Sequence, residues 1–136
     1  EGVRMDIGHG AASFCFATAR MAIEKGLRPW SISTDLHLRN LHGPVYDMAT
    51  TASKLIATGL PFEDTVDAIT IRPRETMGLT TVPQTGDMAD FTLFRLDDCE
   101  QPVADSLGNS MVLKQMLEPV GTVIGASWQD AARRLE

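Results

Sequence analysis

The pattern of apolar residues changes near residue 80, and this change limits what the chain can fold into. Before it, short runs of alternating polarity are separated by stretches in which apolar residues recur at helical spacing. After it, Thr, Val, Gly and Asp predominate and the helical periodicity fades. We therefore predict an α/β part over residues 1–79 and a β-rich part over residues 80–136.

The first part alternates strand and helix. Ser13 is a candidate N-cap for its first helix, and Gly26 is a candidate residue for ending that helix. The predicted segments are strands at 3–7 and 31–34 and helices at 14–25, 44–58 and 61–71, with a further helical turn at 73–77. This order is typical of parallel strands joined by helices.

The second part is predicted to be mainly strand. Alternating or β-branched runs favour strands at 89–96, 110–116 and 120–124. Residues 127–135 are expected to form either a short closing helix or a frayed tail.

The composition excludes several classes of protein. Charged residues make up 22% and hydrophobic residues 43% of the chain, as in soluble globular proteins. A net charge of −6 without a dense Lys/Arg cluster argues against a nucleic-acid partner. No apolar run approaches the ~20 residues of a membrane span, and no signal-peptide pattern is present. We expect no membrane partner and a cytoplasmic location, with Cys15 and Cys99 as free thiols.

Both predicted strands of the first part end on residues that can carry chemistry. DIGHG places His9 at the end of one strand, and STDLH places Asp35 and His37 at the end of the next. Because the carboxyl ends of parallel strands meet at one edge, we expect these side chains to share a pocket. A carboxylate and an imidazole there can bind a metal or transfer protons.

A structural interpretation of the same residues stays open at this point. Asp35 can cap the loop that follows it, and His9 can simply cover a turn between two glycines. His42 is expected to be solvent-exposed, and Cys15 to lie in the core. Cys99 has no base near it in the sequence, which argues against a nucleophile.

Several stretches, in this order, resemble the amidohydrolase superfamily, specifically the C-terminal portion of its amidohydrolase/deacetylase branch, which is related to dihydroorotases and D-aminoacylases. The stretches are DIGHGAASFCF, EKGLRPWSISTDLH, NLHGPVYDMATTASKLIATGLPFEDTVDAITIRPRETMGL and, later, TGDMADFTLFRL. The resemblance implies an α/β fold: the last two βα units of a (β/α)₈ barrel over residues 1–79, then part of a small β-sandwich over residues 80–136.

The resemblance also implies a function. Members of this superfamily are metal-dependent hydrolases that cleave amide C–N bonds, and in some cases esters, with a hydroxide activated by one or two divalent metals, usually zinc. Asp35 matches the aspartate at the end of the eighth strand, which implies that it is both a metal ligand and the general acid/base. His9 and His37 match positions that are implied to contact the small-molecule substrate.

The sequence departs from the family pattern in its metal ligands. The family also needs an H-x-H motif, a lysine or carboxylate and two further histidines, and none of these is present at the required position. A catalytic zinc usually takes three protein ligands. We therefore predict that the chain is a C-terminal fragment that is inactive alone. Its open strand edges predict self-association into a homo-oligomer.

Two other functions compete with the hydrolase prediction. The chain can be a small α/β binding module in which Asp35 only caps a loop. It can also be a non-catalytic partner subunit that completes a barrel with another chain.

Overall fold

The computed structural model describes residues 2–132, which form a small parallel sheet, four helices and an antiparallel sheet. The strands β1 (Asp6–Gly8) and β2 (Ser31–Ser33) are parallel. The helices are α1 (Phe16–Glu24), α2 (Met48–Ala57), α3 (Phe62–Ile69) and α4 (Ile71–Thr76). The strands β3 (Asp90–Ala104), β4 (Ser110–Ile124) and β5 (Ser127–Asp130) follow in an antiparallel sheet of that order. The predicted α/β fold class, with a β-rich part after the βα units, is confirmed.

The parallel sheet has one apolar face and one polar face. Ile32 is buried in the core that the sheet forms with the helices. On the opposite face, the carboxylate of Asp6 accepts hydrogen bonds from the hydroxyl groups of Ser31 and Ser33. Side chains alternate between the faces of a strand, so the sequences DIG and SIS direct their isoleucines to the core and their polar groups away from it.

The two longer helices begin later than the sequence predicted. Helix α1 starts at Phe16 rather than 14, and Asp105, far along the chain, accepts the Phe16 N–H at 3.1 Å. Ser13 is therefore not the cap. Helix α2 starts at Met48 rather than 44, because the Asp47 side chain accepts the Thr50 N–H at 2.7 Å.

The C-terminal end of the first helix agrees better with prediction. Gly26 follows the C-cap residue, Lys25, and has a φ of +88°. This left-handed backbone conformation favours glycine, so the predicted role of Gly26 in ending the helix is confirmed.

The antiparallel sheet is longer and more continuous than predicted. Strand β3 extends eight residues beyond its predicted end at 96, to Ala104, and β4 runs through Pro119 without a break. Two register shifts, at Leu93/Phe94 and Asp98/Gln101, absorb the irregular residues.

The prediction of a closing helix or frayed tail at 127–135 is wrong for its first four residues. Ser127–Asp130 is a strand that pairs with β4, with Ser127 opposite Ile124. Gly125, with a φ of +62°, permits the tight turn between them. The end of the predicted segment, from 133 to 135, lies outside the described residues.

The larger of two hydrophobic clusters in residues 2–132 joins the two sheets. Its buried members come from the loop before α1, from the helices and from the β3–β4 hairpin, and they include Phe14, Phe16, Ile23, Leu55, Val103, Leu113 and Met116. The hairpin therefore packs directly on the helices of the first part. The predicted boundary at residues 79 and 80 stays a prediction.

The described residues contain no helix long and apolar enough to cross a membrane. Phe91, Leu93 and Leu96 on β3 are each more than a third exposed. Self-association, the absence of a nucleic-acid partner and the cytoplasmic location stay predictions.

Candidate active site at the strand ends

The loops after the two parallel strands lie side by side. Backbone pairing continues past the strands, since His9 N–H donates to Ser33 O at 3.2 Å and Gly10 N–H donates to Thr34 O at 3.0 Å. A Cβ placed on Gly10 would lie 3.0 Å from a carboxylate oxygen of Asp35. Glycine at position 10, which also has a φ of +56°, is what lets the two loops approach.

Asp35 projects from the end of β2 with its carboxylate available. Its backbone has a φ of +49°, a conformation that is uncommon outside glycine and in which Asp and Asn are enriched. The Asn40 side-chain amide donates to the Asp35 carbonyl at 2.9 Å and holds this conformation. The side chain is exposed, and within residues 2–132 its carboxylate accepts no hydrogen bond. It is free to bind a cation or a proton.

His37 lies two residues further on and is exposed. Its Nδ1 accepts the Arg39 N–H at 3.2 Å, so the neutral imidazole carries its hydrogen on Nε2. The His37 N–H donates to Asn40 Oδ1 at 2.8 Å. The fully buried Asn40 side chain thus bonds to both Asp35 and His37.

His9 lies beneath the same edge and is fully buried. Its Nδ1 donates to the Gly10 carbonyl at 2.9 Å, and its Nε2 accepts from Lys54 Nζ at 2.9 Å. The imidazole also packs on Phe14, with ring centroids 4.6 Å apart. Both ring nitrogens are therefore occupied by protein groups in this structure, and the contact of His9 with substrate stays a prediction.

Lys54, on α2, is fully buried. Its ammonium group donates to His9 Nε2, to the Pro44 carbonyl and to the Ala104 carbonyl, the last at 2.8 Å. Desolvation lowers the pKa of Lys54 to about 8, against the opposing attraction of Asp105 and Asp47. Lys54 is thus mostly protonated at neutral pH, and its three N–H groups match its three acceptors.

Asp105 and Ser106, at the tip of the β3–β4 hairpin, fasten the loop after β1. The buried Asp105 carboxylate accepts from the backbone N–H groups of Phe16, Leu107 and Asn109 and from the Asn109 side chain, at 2.9–3.1 Å. Desolvation opposes its ionisation, but these hydrogen bonds outweigh desolvation and lower the pKa of Asp105 to about 2. The Ser106 hydroxyl shares its hydrogen between the carbonyls of His9 and Gly10, at 3.2 and 3.0 Å.

We expect the free energy of unfolding to rise between pH 4 and pH 6.5 because of His9. Desolvation, with the charge of Lys54, lowers the pKa of His9 to about 4 from 6.5. Between those values the unfolded chain binds a proton that the folded chain does not, so stability falls as the pH falls. The full difference is on the order of 3 kcal/mol. Thermal unfolding of the full-length protein across this range measures it.

The control for this pH dependence is His42→Gln, which removes an exposed imidazole. It should keep the wild-type slope of Tm against pH, whereas His9→Gln should flatten that slope. Equal slopes in all three proteins would contradict the assignment to His9.

The strand-end residues fit one ligand position of a divalent metal. The Asp35 carboxylate is exposed, unpaired and of the oxygen-donor type that zinc accepts. Among the residues that the structure describes, no group of three or more His, Cys, Asp or Glu side chains could hold a metal ion. Any further ligands would have to come from other parts of a longer protein.

Comparisons with known proteins agree with the predicted resemblance. Residues 84–130 match the family model of the deacetylase-like composite domain. A protein named deacetylase from Agrobacterium fabrum is 47% identical over 135 residues, and another of that name from Brucella anthropi is 46% identical over 135 residues. Each alignment covers 98% of this chain but only 33% and 34% of the relatives. The chain spans about a third of their length.

A solved structure shows the same fold. The crystal structure of a dihydroorotase superposes with a TM-score of 0.94 at 47% identity, covering 98% of this chain and 36% of that one. The sequence resemblance is therefore confirmed: residues 84–130 match the deacetylase-like composite domain, and nearly the whole chain is similar to about a third of proteins named deacetylase and of a dihydroorotase.

Proposed function

We propose that the protein to which this chain belongs is a metal-dependent hydrolase that cleaves the amide C–N bonds of small molecules, with esters as a second class of substrate. The observation that carries the proposal is the Asp35 carboxylate, which is exposed and unpaired after β2. It lies near Gly10 in the loop after β1, where an added Cβ would be 3.0 Å from it. The deacetylase relatives and the dihydroorotase neighbour support a reaction at an amide bond.

We further propose that β1 and β2 are the seventh and eighth strands of a (β/α)₈ barrel. They are parallel, and their apolar face packs in the core with the helices, as barrel strands do. Asp6, Ser31 and Ser33 on the opposite face would then point into the barrel. Active sites of such barrels lie at the carboxyl ends of the strands, where Asp35 and His37 are found.

In the proposed reaction Asp35 is both a metal ligand and the group that moves the proton. A bound divalent metal, zinc in our proposal, supplies Lewis-acid activation of water and of the substrate carbonyl. The Asp35 carboxylate accepts a proton from the attacking water and later gives it to the leaving nitrogen. The left-handed backbone of Asp35, held by Asn40, fixes where that carboxylate stands.

The two histidines have different proposed relations to the substrate. His37 is exposed and donates from Nε2 to a substrate oxygen. His9 contributes through Gly10, whose carbonyl it holds and which lines the strand edge beside Asp35.

The experiment that tests the function is metal removal from the full-length protein. Turnover of a panel of N-acyl amides and of the matching esters is measured before and after dialysis against a zinc chelator. We expect turnover to fall by at least about 10²-fold and to return when zinc is added, because water attack then loses its Lewis acid. Full turnover by protein shown by elemental analysis to be metal-free would contradict the proposal.

A further inference from the structure

We propose that Lys54 is a positioning residue for this hydrolysis: its ammonium group fixes the loops after both parallel strands to the end of β3, and so sets the place of the Asp35 carboxylate. The inference rests on the function proposed above and deepens it. It means that the site also depends on Lys54, a residue on helix α2 and not at a strand end.

The first support is the set of acceptors that Lys54 joins. His9 belongs to the loop after β1, Pro44 to the segment that leads from β2 to α2, and Ala104 is the last residue of β3. A single Nζ atom therefore connects three separate segments. Each of its three N–H groups has one acceptor, so no donor is left over for another role.

The second support is that the contacts lead on to Asp35 from both sides. On one side, His9 bonds the Gly10 carbonyl, and Gly10 lies so near Asp35 that an added Cβ would be 3.0 Å from its carboxylate. On the other side, Val45, next to Pro44, donates its N–H to the Asn40 carbonyl at 3.3 Å. The Asn40 side chain then bonds the Asp35 carbonyl.

The third support comes from the hairpin that supplies Ala104. Two residues later, Ser106 bonds the carbonyls of His9 and Gly10. The hairpin thus holds the loop after β1 both directly, through Ser106, and through Lys54. The antiparallel sheet is in this way connected to the edge where the parallel strands end.

A role in packing alone does not account for a lysine at this position. Burying an ammonium group costs free energy that a methionine of similar length avoids. What the lysine adds is three directed hydrogen bonds, which fix the relative places of the segments they join.

The test uses the full-length protein with Lys54→Met, which keeps the side-chain length and removes all three donors. We expect kcat to fall about 10- to 100-fold, because displacement of a catalytic group by about 1 Å has an effect of this size. We expect KM to change by less than about threefold and the metal content to stay at the wild-type value, since Lys54 contacts neither substrate nor metal.

The matched control is Ser53→Ala, one residue away on α2. Ser53 is also buried, but its hydroxyl bonds Ala49 O and the Leu117 N–H and reaches neither strand-end loop. It should lower Tm while leaving kcat within about twofold of wild type. If kcat falls in proportion to Tm in both variants, the loss of kcat reflects stability alone. That result would overturn the positioning role.

A second variant covers the case in which Lys54→Met does not fold. Lys54→Gln keeps two N–H donors, and we expect a kcat between those of wild type and Lys54→Met. Wild-type kcat in folded Lys54→Gln or Lys54→Met would overturn the inference. Activity retained by Asp35→Asn would instead overturn the proposed function, so the two failures are distinguishable.

Discussion

Asp35→Asn in the full-length protein is expected to lower kcat by about 10³- to 10⁴-fold while the protein stays folded. Asparagine has nearly the same shape, so the loop after β2 keeps its packing. It carries no charge and cannot accept or return a proton, so it removes the acid/base group. The Asp35 backbone carbonyl still accepts from Asn40, which preserves the left-handed turn. Steady-state turnover of the best amide substrate measures the effect.

The control for this prediction is Asp98→Asn. Asp98 is exposed on β3, where its carboxylate accepts from the Gln115 side chain at 3.0 Å. Its neutral variant should retain wild-type kcat. If Asp35→Asn turns over within about tenfold of wild type, the carboxylate is not the acid/base group.

Asp105→Ala is expected to lower the free energy of unfolding by about 3–5 kcal/mol. The buried carboxylate accepts four hydrogen bonds, three of them from the backbone N–H groups of Phe16, Leu107 and Asn109. Alanine leaves these donors without their acceptor, and the Phe16 N–H is left unpaired in a buried position. Helix α1 also loses the acceptor of its first N–H group, that of Phe16. Urea unfolding, together with amide exchange of residues 14–20, measures the loss.

Asp98→Ala is the matched control for stability, since it removes an exposed aspartate from the same hairpin. It should change the free energy of unfolding by less than about 0.5 kcal/mol. The stabilisation by Asp105 also depends on pH, because its pKa is lowered to about 2 in the folded protein. The stabilisation is present above about pH 4 and is lost as the pH falls towards 2. Equal effects of the two substitutions would contradict the role given to Asp105.

The short strands and the helices could be predicted because their signals are local. The alternation in residues 3–7 and in SIS and the helical spacing before Gly26 lie within single segments, although the first strand lies at Asp6–Gly8 rather than at 3–7. The position of Asp35 at a strand end followed from the same pattern. The exposure of His42 was also predicted and is confirmed.

The supports of the site could not be predicted, because they depend on contacts between distant segments. His9 and Lys54 are 45 residues apart, and Phe16 and Asp105 are 89 apart. No spacing rule connects such pairs. A weak signal did exist for Lys54, which stands in α2 beside Ala52 and Leu55, both buried, where a charged residue is unusual.

The long antiparallel strands were underestimated for a different reason. Pro102 and Pro119 interrupt the β pattern of the sequence, and proline normally ends or borders a strand. In the structure both prolines lie within paired strands, with register shifts close by. The short strand β5 was missed because the residues that follow it in the sequence favour a helix, and the whole segment 127–135 was assigned together.

The measurement that tests the central claim most directly is a crystal structure of the full-length protein with data collected at the zinc absorption edge. The account predicts an anomalous peak about 2.0–2.2 Å from a carboxylate oxygen of Asp35, at the carboxyl ends of β1 and β2. A bound metal that lies elsewhere, with Asp35 making only loop contacts, would contradict it.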